Sequence, residues 1–361
     1  MRQTKHRDPA KVRRGRRARR KRRALFLSWP DNLLFRQDFS AAPCKFRLRA
    51  IRNDSSGPYD RDAAMNAADP ARPVSIRMLR PSEALSGLID AYYIVETFGP
   101  MQDRYLAGPG NIRFAPRGEW ILTVDGYSGP AADRAALFGP TDRSGMFGPT
   151  GPGMLLGAGL TPVGWAHLFD ISADTLSNDV CELADVIGRD EADAIASAID
   201  AAPDDAAIAA ALDSWLVARM QSRPLPDPRI AKVHRALLDV PDDVTAFAAA
   251  ANVSERTLRR LCLKAFGFPS KALLRQKRFQ RTLERVRGVL DKPLTDLVDD
   301  GYYDQAHFNR DFRDYMGMSP TEYFNSPREI MRRSAEVRRT LNGAGLQGLH
   351  PAATPPVRAT E

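Results

Sequence analysis

Over residues 66–190 the apolar positions come in short runs: 91–95, 112–114, 120–124, 137–138, 154–156 and 165–169. Between them lie Gly99-Pro100, Gly108-Pro109-Gly110, Gly129-Pro130, Gly139-Pro140, Gly148-Pro149 and Gly151-Pro152-Gly153. Short strands at regular spacing, divided by such turns, predict a β-rich sandwich or barrel-like domain. From about residue 176 the period lengthens. Ile195 and Ile199 are four apart, and beyond Pro203 the residues Ile208, Leu212, Trp215 and Leu216 share one helical face. Asp204 or Asp205 can cap that helix. The helical segment at 191–222 has two readings, a dimer interface or packing onto its own β-domain. Pro224, Pro226 and Pro228 then mark a stiff linker at 223–228.

Residues 229–328 read as helical and repeat at a shift of 50. Val244, Phe247 and Ala248 fall on Leu294, Leu297 and Val298; Ser254 falls on Asp304, Leu258 on Phe308, Arg260 on Arg310, Cys262 on Phe312 and Gly267 on Gly317. Each copy is thus a short apolar helix, a turn, an N-cap residue and a second helix stopped by glycine. A helix over about 270–289 joins the copies. Two helices joined by a tight turn, with the second one capped, describe a helix-turn-helix. Two such units on one rigid helix suit successive major grooves of DNA.

The competing reading is an all-α interaction domain, and charge argues against it. Residues 254–287 hold 11 Lys or Arg and only Glu255 and Glu284 as acids. Arg256, Thr257, Arg259 and Arg260 lie in the half of the second helix that reaches base edges, where arginine pairs with guanine. Arg260 has an equal claim to a structural or phosphate-binding place. Lys264, Lys271, Arg275, Lys277 and Arg278 are the expected phosphate contacts. In the second copy Gln305, Ala306 and Asn309 are the expected base readers and Arg310 the phosphate contact, while Phe308 and Phe312 are core. That copy is acidic, with seven Asp over 291–315 against Lys292, Arg310 and Arg313. The first copy should therefore dominate affinity.

Composition narrows the class. With 361 residues, 43% of them hydrophobic and 27% charged, the chain suits two or three folded domains. No apolar run approaches the roughly 18 residues of a spanning helix. Cys44, Cys181 and Cys262 stand too far apart for a disulfide framework or a four-ligand zinc site, so a cytoplasmic protein is expected. Residues 1–24 carry 13 Lys or Arg and one acid, Asp8, so the net +9 resolves into +12 there and −3 over the rest. The basic arm, 1–64, is expected to be disordered. It has three open readings: a non-specific grip on phosphates, a targeting address, or a mis-assigned start ahead of Met65. A secretory signal is a poor fit, because the apolar run before Ser28 is too short. Enzyme chemistry needs converging groups, and the β-domain offers one histidine, His167, in an apolar stretch. No phosphate-binding loop with lysine is present. The chain is expected to be no enzyme and to need neither cofactor nor metal.

The stretch GYYDQAHFNRDFRDYMGMSP at 301–320, with NVSERTLRRLCLKAFGFPSKAL at 252–273, resembles the C-terminal domain of the AraC/XylS family of bacterial transcription regulators. The likeness covers about 100 residues, just over a quarter of the chain. More loosely, 78–190 is similar to the β-rich sensor domain of one branch of that family, through Phe114-Ala115-Pro116-Arg117-Gly118, residues 155–162 and residues 176–188. There are departures: Pro269-Ser270 where Ser-Pro is usual, Asn252 where the turn usually has glycine, and one residue fewer over 298–301. The resemblance implies an α+β chain of two domains, a β-rich N-terminal sensor and an all-α C-terminal domain with two helix-turn-helix motifs, followed by a disordered tail at 329–361. It implies promoter DNA as partner, RNA polymerase as the contact of an activator, with repression open, and a small-molecule effector. A homodimer is a further expectation. Trp120, Trp165 and Arg117 are candidates for an effector wall, with none assigned. The alternative is a small-molecule-binding or enzymatic β-domain with a weakened DNA module.

Overall fold

Alternation along the strands decides the layers. Successive residues of a strand point to opposite faces, and here both faces are apolar: Ile94 and Val95, Phe114 and Ala115, Leu137 and Phe138, Leu155 and Leu156 are all buried. The first sheet is therefore a middle layer. The computed structural model describes residues 73–124, 127–130, 134–288, 302 and 304–343. The basic arm and the first helix expected of the second copy, with Leu294, Leu297 and Val298, lie outside the described residues.

Ten strands are described: β1 Val74–Leu79, β2 Ile89–Thr97, β3 Asp103–Tyr105, β4 Asn111–Arg117, β5 Trp120–Val124, β6 Tyr127–Pro130, β7 Ala135–Phe138, β8 Gly145–Pro149, β9 Gly153–Leu160 and β10 Val180–Glu182. They form two antiparallel sheets, β1-β2-β9-β4-β7-β10 and β3-β8-β5-β6. In the larger one Ile112 pairs with Leu137 on one side and Ala158 on the other. Neither sheet closes into a barrel. The expected α+β class, with a β-rich N-terminal domain and a helical C-terminal region, is what the chain adopts.

Eleven helices are described. They are α1 Pro162–Leu168, α2 Leu183–Ile187, α3 Arg189–Asp200, α4 Asp205–Gln221, α5 Arg229–Leu238, α6 Val244–Ala250, α7 Glu255–Phe266, α8 Ser270–Gly288, α9 Gln305–Met316, α10 Pro320–Asn325 and α11 Glu329–Asn342. None among the described residues is long and apolar enough to cross a membrane. The run at 165–169, expected as a strand, lies mostly in α1. Thr161 accepts from the Gly164 N–H at 2.9 Å and Pro162 occupies the first turn, a start signal that outweighs the short apolar run. α4 starts where Asp204 accepts from the Ala207 N–H. Its stripe packs onto its own β-domain: Ile208, Leu212 and Leu216 are buried in one core with Phe114, and the Trp215 ring meets Phe114 edge-on at 6.4 Å. Tyr92 donates its hydroxyl hydrogen to Asp213 at 2.7 Å.

That core does not stop at the prolines. It continues through Trp165 and Leu168 of α1 into Ile230, Val233, Phe247, Leu258, Leu261 and Cys262. A second cluster fills the space between the sheets. A third gathers Phe279 and Leu283 of α8 with Phe308, Phe312, Tyr315 and Tyr323 of α9 and α10. The tail expected to be disordered is corrected over 329–342. There α11 lies on the β1 edge, with Ile330 buried among Val74, Val95 and Tyr105, because an apolar residue and a row of cationic partners found a surface to cover.

Candidate nucleic-acid interface

The first helix-turn-helix is built by its caps. Asp243 accepts from the Ala246 N–H and opens α6. At the turn Asn252 takes the left-handed conformation, φ 53°. The Val253 N–H donates to the Ala248 carbonyl and the Asn252 N–H to the Ala249 carbonyl, both at 3.0 Å. These two bonds make a Schellman stop, which asparagine tolerates nearly as well as glycine. Ser254 then accepts from the Thr257 N–H and starts α7, and Thr245 donates to Glu255 at 2.7 Å, locking the two helices together. α7 ends at Gly267, φ 83°.

Helical period divides α7 cleanly. Leu258, Leu261, Cys262, Ala265 and Phe266 are buried. Arg256, Arg259, Arg260 and Lys264 are exposed on the opposite side, within one broad face. Thr257 is half-buried and its hydroxyl accepts from Ser254 at 3.0 Å. Arg260 stands 3.6 Å from Asp227, whose carboxyl is held down at about 2, chiefly by the hydrogen bond from Arg229. Burial pushes the Cys262 thiol up to about 12, so it is an inert core residue.

The expected phosphate contacts on α8 separate. Lys271 is exposed. Arg275 reaches across to α9, donating to Asp311 and to Asp314, the latter at 2.6 Å, and the two carboxylates hold its pKa above the ordinary arginine value. Two of the seven aspartates of the acidic copy thus have a cationic partner, Asp311 buried and Asp314 exposed. Arg278 is half-buried and reaches the Asp242 carbonyl at 3.4 Å. Lys277 is a correction: it is 8% exposed, on the face of α8 shared with Leu273 and Gln280, turned to the β-domain and away from any groove. Leu273, Lys277 and Gln280 follow the i, i+4, i+7 spacing of one face, a signal already present in the sequence.

In the second unit Asp304 accepts from the His307 N–H at 2.7 Å and starts α9. Gln305, Ala306 and Arg310 are exposed and Asn309 is half-buried, while Phe308 and Phe312 are in the core. His307 meets the Tyr302 ring edge-on at 5.0 Å, a packing role.

Both units are tied to the β-domain by bonds that sequence reading had no means to find. Ser177 donates to the Gly267 carbonyl at 2.8 Å, Gln276 to Thr141 at 2.9 Å and Gln280 to Ala107 at 2.7 Å. At the second unit the Ser144 N–H donates to the Tyr315 carbonyl at 2.7 Å. Of the residues offered for an effector wall, Trp120 stacks on Phe147 in the inter-sheet core and Arg117 pairs with Glu96 at 2.6 Å. Trp165 is buried and donates to the Ile171 carbonyl. His167 is buried. No group of three or more His, Cys, Asp or Glu among the described residues is placed to hold a metal ion.

Comparison with known proteins adds the following. The helix-turn-helix domain family matches residues 247–326. No curated protein matches the chain. Among solved structures, ToxT from Vibrio cholerae is 9% identical, covering 70% of this chain and 98% of its own, with a TM-score of 0.37. The C-terminal domain of AraT, a response regulator from Geobacillus stearothermophilus, is 22% identical over 28% of this chain and 88% of its own, with a TM-score of 0.25. A cupin superfamily protein from Desulfitobacterium hafniense is 13% identical over 32% of this chain and 97% of its own, with a TM-score of 0.23. Residues 247–326 of this chain form a helix-turn-helix domain of the AraC type.

Proposed function

We propose that the protein is an effector-responsive transcription activator that reads promoter DNA through two helix-turn-helix units, with α7 supplying most of the affinity. The observation that carries this reading is the exposed face of Arg256, Arg259, Arg260 and Lys264 over a fully apolar reverse side. Arg256 and Arg259 pair with guanine edges, each worth about 1–3 kcal/mol of discrimination. Arg260 divides its time between Asp227 and the duplex. Thr257 borders a thymine methyl. Gln305, Ala306 and Asn309 read the second site, amide side chains favouring adenine. Lys264, Lys271 and Arg310 hold phosphates; Arg275 and Arg278 contribute less, being engaged inside the domain. The division into a sensor over 66–190, a helical segment, a linker and a reader over 229–328 belongs to the same proposal. So do the contact with RNA polymerase, a homodimer and a cytoplasmic location.

Genome-wide occupancy of the native protein, followed by anisotropy titrations on the shared motif, tests it. Arg256→Ala relaxes preference at one base pair. Lys271→Ala weakens all sequences alike and lowers the salt slope by about one. Equal losses from both variants on specific and non-specific DNA would overturn the assignment.

A further inference from the structure

Between the two sheets lies a cavity of about 130 Å³. An apolar cavity near that size is known to take a benzene-sized guest. Its walls are apolar for the most part, among them Val95, Leu122, Phe138, Phe147 and Leu155. Two cations border it: Arg338, which is paired with Asp90, and Arg113. Arg113 lies inside the apolar run at 112–114, and because Ile112 and Phe114 point to the helices, it points to the inter-sheet side. Its guanidinium rests on the Phe138 ring at 4.2 Å, and Nε donates to the Tyr93 hydroxyl at 3.1 Å. Gly157, paired with both Tyr93 and Arg113, makes room for that hydroxyl: a Cβ there would come within 2.7 Å of it. Nη1 of Arg113 is buried without a hydrogen-bond partner, and no carboxylate pairs with the group among the described residues. Arg113 as a whole is half-buried, and a buried donor left unmade is costly. Asp179 also borders the cavity, with one carboxylate oxygen accepting from the Val180 N–H at 2.8 Å.

The remaining wall comes from the far end of the chain. Ile330, Met331, Ser334 and Arg338 of α11 close the cavity. Asp103 of β3 accepts from the Met331 N–H at 2.8 Å, capping the first turn of α11 from outside the helix. Arg338 forms a buried ion pair with Asp90, Arg333 donates to the Val74 carbonyl at 3.1 Å, and Arg339 reaches Glu284 of α8 at 2.8 Å. α11 follows α9 and α10 directly in the chain, so one helix touches the cavity, the connecting helix α8 and the strand edge.

We infer that this cavity binds a small monocarboxylate with a compact apolar body, that Arg113 takes the carboxylate, and that α11 is the lid. This rests on the effector reading above. The occupant supplies the acceptor that Nη1 lacks and places its body against Ile330, Met331 and Ser334. Occupancy therefore holds α11 down, and with it the chain leaving the second reader.

Benzoate and cyclopentanecarboxylate, each beside its primary amide, are the probes for the full-length protein. The carboxylates raise the unfolding midpoint by about 2–4 °C near saturation, and the amides do not. Amide exchange over 329–342 slows about fivefold or more in their presence. Arg113→Gln abolishes both effects. Ser334→Phe, which fills the cavity from the lid, abolishes binding with the fold kept, so a misfolded Arg113 variant does not decide the matter. Failure of both carboxylates to shift the midpoint, equal shifts by the amides, or unchanged exchange over α11 overturns the proposal. Binding that leaves DNA affinity unaltered keeps the site and removes the effector reading instead.

Discussion

At the scale of single residues, position on a helix face outweighs residue type. Lys271 and Lys277 are six apart on α8, yet one is exposed and the other is enclosed. Burial pushes the Lys277 ammonium down to about 8, with the nearby charge of Asp90 acting the other way. Unfolded, it titrates near 10.5. Between those values the unfolded chain holds more protons, so this group makes stability rise with pH through that window. Below about pH 8 the enclosed charge costs on the order of 3 kcal/mol. Lys277→Met should therefore be the more stable protein at neutral pH, and the difference from wild type should vanish by about pH 10.5, measured as urea midpoints across the range. Its salt slope for DNA should match wild type, because no phosphate contact is lost. Arg113 teaches the same lesson in reverse. It stands in an apolar run that reads as nothing more than a strand, and only the alternation of that strand turns it inward.

At the scale of elements, the two copies have the same local plan and different neighbours. Gly267 and Gly317 both end their helices in the left-handed region, at φ 83° and 70°. A Cβ on Gly267 would lie 2.4 Å from Pro140 and 2.5 Å from Ser177, whereas on Gly317 the nearest atom is 3.8 Å away. Gly317→Ala should cost about 1 kcal/mol, the strain of positive φ alone. Gly267→Ala should cost about 3 kcal/mol, because overpacking against the β-domain adds to it. Thermal unfolding of the two variants checks this, and equal losses would mean the first unit is not held against Pro140 and Ser177. The caps themselves were legible: Ser254, Asp304 and Asp204 stand where side-chain oxygens meet the first free N–H groups. The run at 165–169 reads as a strand because so short an apolar run suits either period. Only the Thr161-Pro162 signal separates the two readings.

At the scale of the whole molecule, the chain is sewn together by its far end. Ending it at Ser326 would remove Ile330 from the inter-sheet core and leave Asp90 without Arg338. The loss should be on the order of 5 kcal/mol, read as a lower unfolding midpoint; a dispensable tail would leave the midpoint unmoved. What the sequence determined by itself is everything set by neighbours within a turn or two of chain. The strand runs, the repeat at a shift of 50, the caps and the glycine stops belong here, and so does the exposed arginine face of α7. These follow from local backbone chemistry and helical period, which need no knowledge of distant residues. The tertiary structure alone decided which polar groups find partners across long separations. Arg275 meets Asp311 and Asp314, Lys277 is enclosed and Arg338 pairs with Asp90. A cavity opens beside Arg113. Such pairings depend on the packing of whole layers, and a linear pattern of charges does not encode which of many possible partners the fold brings within 3 Å.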